Sequence, residues 1–349
     1  MRIMLPQTRL FLSLFKRNYS DTAHEIQKIS EKPLKGLFFH PQIQLFIKKI
    51  TFVDYEKVFK SQEKNTLRPP VYQFMSDDEL QANKAKGDAK IASRLQAPPI
   101  VDLLEDNTEI LSNDPSLDGH DVHHSKIVFT DLSLNVLPTE RTIVVREPNG
   151  VLRTANKLER RRLLQIYFPI KGRELQVPKM FKTTHLNDLL KRKEYEFILN
   201  RACVQFDPTD EEFHRVLILT YNKINIENDF ERIDSTRHFG SLGFYLAINR
   251  NINNMLQYFL DKQRLMSAYY LVKMYHLVNS NASISWDVPA NEIQEDEKIS
   301  LDQAFKVVED YIKSQPDDTS KLQQKFVQMV EKLKEEEDVQ SGILKAHGV

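Results

Sequence analysis

The chain has 349 residues, 41% hydrophobic and 28% charged, which is enough apolar material for a core and excludes a wholly disordered or collagen-like chain. Its 49 basic and 49 acidic residues cancel, and no uncharged apolar stretch reaches the ~18 residues of a membrane-spanning helix, so no membrane span is expected. The single cysteine, Cys203, excludes an internal disulfide framework and any zinc site of several thiolates, and 9 glycines leave little for phosphate-cradling loops.

Residues 1–19 carry Arg2, Arg9, Lys16 and Arg17 and no acid, with Leu10, Phe11, Leu14 and Phe15 at helical spacing. This is the pattern of a mitochondrial transit peptide, and Arg17-Asn18-Tyr19-Ser20 supplies a matrix-processing pattern that would leave Ser20 as the mature N-terminus. Residues 20–125 form an N-terminal extended and helical segment. Short apolar clusters alternate with Pro33, Pro41, Pro69 and Pro70; Ser76 and Glu79 make a capping box for a polar helix running to Pro98-Pro99; and a flexible acidic loop follows from Glu105 to His124.

From Lys126 the pattern turns to β. Ile127–Thr130 and Thr142–Val145 are strand-like runs, and Pro148-Asn149-Gly150 is a turn that returns the chain through Val151-Leu152. A basic helix, Lys157–Tyr167, completes a module over 126–182. Beyond 183 the chain reads as amphipathic helices near 184–203, 209–225, 232–249, 252–278, 300–314 and 319–336, the last two forming an αα-hairpin on the stripes Ala304, Phe305, Val308, Tyr311 and Leu322, Phe326, Met329. The expected fold is α+β and predominantly helical: a β-hairpin region in the middle, then a stacked-helix, solenoid-like domain over 183–349.

Catalytic chemistry finds little support. His120, His123 and His124 beside Asp118 and Asp121 lack the spacing of a metal site and read as a solvated loop. Cys203 falls on a helical stripe, where a buried inert thiol is expected. Gly240-Ser241-Leu242-Gly243 is neither a hydrolase elbow nor an exposed RNA-clamping loop and reads as close helix packing. No enzyme activity, cofactor, metal or small-molecule substrate is expected.

Charge is segregated. Arg153–Lys193 holds twelve Lys or Arg against three acids, whereas Asp287–Asp338 holds fifteen acids against seven Lys. The first suits phosphate and the second basic proteins. At about 100° per residue Lys157, Arg160 and Arg161 share a broad helix face that excludes Arg162, and Arg153, Lys171 and Arg173 extend it. These six are the candidate RNA-backbone contacts.

Lys126-Ile-Val-Phe-Thr-Asp-Leu132 and Glu140-Arg-Thr-Ile-Val-Val-Arg-Glu-Pro-Asn-Gly-Val-Leu-Arg153 closely resemble a mitochondrion-specific ribosomal family, protein twenty-two of the mitochondrial small subunit. Leu163–Pro169 with Gly172-Arg173, Gln205-Phe-Asp-Pro208, Ser235–Gly240 and Pro69–Tyr72 resemble further landmarks of that family, over roughly residues 69–278. The segment before Pro69 and the helices after Trp286 resemble it only in composition. The resemblance implies a non-enzymatic constituent of the mitochondrial ribosome in the matrix, held by other small-subunit proteins and by small-subunit rRNA. The residues alone also fit a helical-repeat mitochondrial RNA-binding factor acting on mRNA or subunit assembly.

Overall fold

A computed structural model describes residues 33–59, 72–117, 125–279, 301–314 and 319–346. The expected transit peptide and the His120, His123 and His124 cluster lie outside these residues, as do Ser300 and Pro316. The described residues form 14 α-helices and one small antiparallel sheet, the expected α+β, predominantly helical class.

The N-terminal helices are α1 (Leu34–Phe39), α2 (Pro41–Ile50), α3 (Tyr55–Phe59) and α4 (Asp77–Arg94). Ser76 and Glu79 form the expected capping box of α4, which buries only Ile91. By contrast α1 and α2 bury Leu34, Leu37, Phe38, Ile43, Ile47 and Ile50 in the same core as the helices beyond 183. A strap from Ala97 to Asp106 crosses that domain. Asp102 accepts the N–H groups of Leu34 and Lys35 at the start of α1, and the Pro98 carbonyl accepts the Ser241 hydroxyl. The buried α1 end thereby has partners for its orphan donors.

The sheet runs β1-β4-β3-β2, with β1 at Ile110–Asn113, β2 at Ile127–Thr130, β3 at Ile143–Arg146 and β4 at Val151–Thr154. The β3–β4 hairpin forms as expected: Gly150 donates to the Glu147 carbonyl at 3.0 Å and takes φ +85°, the left-handed position that favours glycine. A Cβ there would also overlap the Asp114 carbonyl just after β1. The acidic stretch from Glu105 departs from the expected flexible loop, because Ile110–Asn113 pairs with β4 and makes the sheet four-stranded. Ile143 and Val145 face inward, whereas Ile127, Phe129, Leu132, Leu134 and Leu137 are exposed.

Next come α5 (Lys157–Tyr167), α6 (Thr183–Lys191), α7 (Tyr195–Gln205), α8 (Glu211–Glu227), α9 (Phe230–Ile233), α10 (Arg237–Ile248), α11 (Asn253–Asp261), α12 (Leu265–Asn279), α13 (Leu301–Ser314) and α14 (Thr319–Ala346). Three long helices expected from the sequence are each two helices, broken at Lys193, Ser235 and Gln263, all with φ near +60°. After α6, Lys193 and Glu194 donate to Leu190 and Leu189, and after α11, Gln263 and Arg264 donate to Leu260 and Phe259, which caps both ends in the Schellman manner. Successive helices stack, α7 on α8, α10 on α12, α12 on α13 and α13 on α14, while α2 inserts against α10 and α12. In the αα-hairpin Ala304, Val308, Tyr311 and Ile312 are buried, and Phe305 is half-buried against Phe326.

Candidate nucleic-acid interface

Helix α5 begins at Asn156, whose side chain accepts the Glu159 N–H at 2.8 Å while Glu159 accepts the Asn156 N–H at 3.0 Å. The basic residues on the face of α5 that meets the sheet and the helical domain are partly enclosed by their contacts there.

Arg153 pairs with Glu159 through both terminal nitrogens, at 2.8 and 2.9 Å, and with Glu147 at 2.6 Å. Glu159 is held down to a pKa of about 2, first by the Arg153 hydrogen bonds, and Arg153 is raised by the same contact. Lys157 donates to the Thr209 carbonyl at 2.7 Å and pairs with Asp210 at 3.2 Å. Arg161 donates to the Gln205 carbonyl at 2.6 Å, reaches Asp210 at 3.2 Å and lies over the Phe206 ring. Arg173 donates to the Val204 carbonyl at 3.0 Å and pairs with Asp207 at 2.8 Å. Arg160 donates to the carbonyls of Pro138 and Thr139 at 2.7 and 3.0 Å.

Arg161 and Arg173 thus satisfy last-turn carbonyls of α7, where the helix dipole favours cations, and Asp207 and Asp210 neutralise them. Gln205 completes the joint, accepting the Glu174 N–H at 3.0 Å and donating to its carbonyl at 2.9 Å. The structure brings five of the six candidate residues onto the chain's own carbonyls and carboxylates. The sixth, Lys171, is exposed, as are Arg162, Lys179, Lys182, Lys191 and Arg192. The helical wheel separates Arg162 from the others, but the shared face of Lys157 and Arg161 is the packed one. What decides this is the carbonyl-rich turn at Val204–Asp210, some forty residues further along the chain.

Among the described residues no group of three or more His, Cys, Asp or Glu has the proximity of a metal site. Cys203 is partly buried, and burial pushes its thiol pKa up. Gly240 lies where α10 approaches α2. These positions carry packing roles.

Residues 36–280 match the family described as mitochondrial 28S ribosomal protein S22. The chain belongs to that family. Over 255 residues it is 32% identical to small ribosomal subunit protein mS22 of Mus musculus, covering 73% of this chain and 70% of the mouse protein. The Bos taurus protein of the same name is 31% identical over the same coverage. The match to the S22 family begins at residue 36, well before Pro69, so it takes in most of α1 and all of α2. That agrees with their place in the common core. Several landmark residues are the ones that hold each other here: Arg153 with Glu147, and Arg173 with Asp207.

Proposed function

We propose that this S22-family chain, a structural constituent of the mitochondrial small ribosomal subunit, works as a non-catalytic brace in the matrix ribosome, joining neighbouring proteins to rRNA backbone. One observation carries the reading: the sheet module, joined to the helical domain through Lys157 and Arg161, leaves Ile127, Phe129, Leu132, Leu134 and Leu137 in solvent. So many large apolar side chains clustered on one strand and its following loop mark a surface completed by a protein partner. The exposed cations Arg162, Lys171, Lys179 and Lys182 supply phosphate contacts, which position without reading sequence. Arg153, Lys157, Arg160, Arg161 and Arg173 support that surface from within.

The test is replacement of the endogenous chain by a Phe129→Glu, Leu134→Glu variant, both positions being exposed and outside the core. The purified variant should fold normally and fail to enter the small subunit, and mitochondrial protein synthesis should fall with the loss of assembled subunits. Normal incorporation would overturn the protein-facing role of this surface.

A further inference from the structure

A cleft of about 280 Å³ opens where the ends of α4 and α7 meet the starts of α8 and α10. Its lining is mixed: Pro98, Pro99, Phe206, Pro208 and Phe213 form apolar walls beside Cys203, Ser93 and Gln96 add polar groups, and among the described residues Arg237 is the one charged side chain that lines it. Arg237 is fixed by a single hydrogen bond, Nε to the Asn200 side chain at 3.1 Å. Asn200 is held in turn by His238 at 2.9 Å. Among the described residues no carboxylate pairs with Arg237, and its terminal nitrogens have no partner, in contrast to the neutralised Lys157, Arg161 and Arg173 nearby.

We propose that this cleft binds the C-terminal carboxylate of a neighbouring protein whose last residue is apolar. A guanidinium presenting two parallel donors matches a carboxylate in bidentate fashion, and proline and phenylalanine walls suit the hydrocarbon beside it. A phosphate backbone fits poorly. It brings several charges past a single cation. The volume accommodates one side chain with its carboxylate rather than a nucleotide track.

Cys203 is the only cysteine of the chain and lines the cleft, so it reports occupancy. Alkylation of Cys203 by N-ethylmaleimide is followed by mass spectrometry in the purified chain, with N-acetylphenylalanine, its amide and inorganic phosphate as probes. At 5 mM the acid should slow alkylation about tenfold, as a ligand of submillimolar affinity does, and the amide and phosphate by less than about twofold. Arg237→Gln, with an unchanged circular dichroism spectrum, should abolish the protection, and Arg237→Lys should retain part of it. Equal protection by acid and amide, protection by phosphate, or protection that survives in Arg237→Gln would overturn the proposal, as would its absence with every probe. Cys203 in salt-washed small subunits should react at least about tenfold more slowly than in the free chain. Equal rates there would show that no neighbour fills the cleft, while the free-chain results stand independently of the ribosomal reading.

Discussion

Arg153 and Glu159 meet in a two-pronged ion pair at 2.8 and 2.9 Å, and the same Glu159 carboxylate accepts the Asn156 N–H that starts α5. One side chain therefore joins strand β4 to helix α5. Both partners are largely enclosed, with 14% and 22% of their side chains exposed, so the pair is screened less than a surface bridge.

Glu159→Gln keeps the shape but removes the charge opposite Arg153 and weakens the cap. It should destabilise the β4–α5 joint by roughly 2–3 kcal/mol. Hydrogen exchange should show the loss concentrated in residues 143–167, with α10–α12 unchanged. A uniform loss across the chain would contradict a local joint.

Stability should fall in acid from two overlapping sources. Burial holds His238 down to about 3, below its ordinary 6.5, so as pH falls below 6.5 the unfolded chain takes a proton that the folded chain refuses. Glu159, lowered from 4.5 to about 2, adds a second loss as pH falls from 4.5 toward 2. His238→Gln should lessen the fall of the urea midpoint from pH 6.5 to 4.5 and on down to about 3, leaving the loss from Glu159 in place. An unchanged slope in that upper window would contradict the burial of a neutral imidazole.

Gly240 and Gly243 sit on one helix, one turn apart, and should respond oppositely to alanine. A Cβ at 240 would overlap the Ile47 side chain and crowd the Ile47 carbonyl and Thr51 hydroxyl at 3.1 and 3.2 Å, so Gly240→Ala should cost about 1–3 kcal/mol by pushing α2 from α10. At 243 the nearest atoms are Met255 and Met274 methyls at 3.5 Å. Gly243→Ala should be neutral or stabilising by roughly 0.5–1 kcal/mol from helix propensity. Thermal unfolding of the two variants checks this; equal effects would contradict the α2–α10 contact.

Much of this architecture is legible in residue patterns, and the exceptions have identifiable causes. Ser76 with Glu79, the Glu147–Gly150 turn and the stripe through Ala304, Val308 and Ile312 are local signals, and each forms as its spacing predicts. The breaks at Lys193, Ser235 and Gln263 were not legible, because a left-handed helix end is normally announced by glycine, and here Lys, Ser and Gln take that conformation. Strand β1 is hidden because Ile110–Asn113 is exposed and owes its form to pairing with β4. The basic stretch reads correctly as charge, but whether a cation faces RNA or its own chain depends on Asp207 and Asp210, which sequence distance conceals.

The division of the cations has its own consequence. Lys171→Gln, Lys179→Gln, Lys182→Gln removes exposed charges only, and the folded chain should keep its thermal midpoint. If each contacts a phosphate, the slope of log affinity for rRNA against log salt should lose about two to three units. Lys157→Glu, Arg161→Glu should instead lower the midpoint, since it removes the donors to the Thr209 and Gln205 carbonyls and sets two carboxylates beside Asp210. A loss of slope without loss of stability in that second variant would assign those residues to RNA.

A fixed structural part of the mitochondrial small subunit stays with the particle through a salt wash. Sedimentation of mitochondrial lysate through a high-salt sucrose gradient, with quantitative mass spectrometry of each fraction, puts this to the test. The chain should track the small subunit at one copy per particle after the wash. Recovery in the light fractions, or at a small fraction of a copy per subunit, would contradict it.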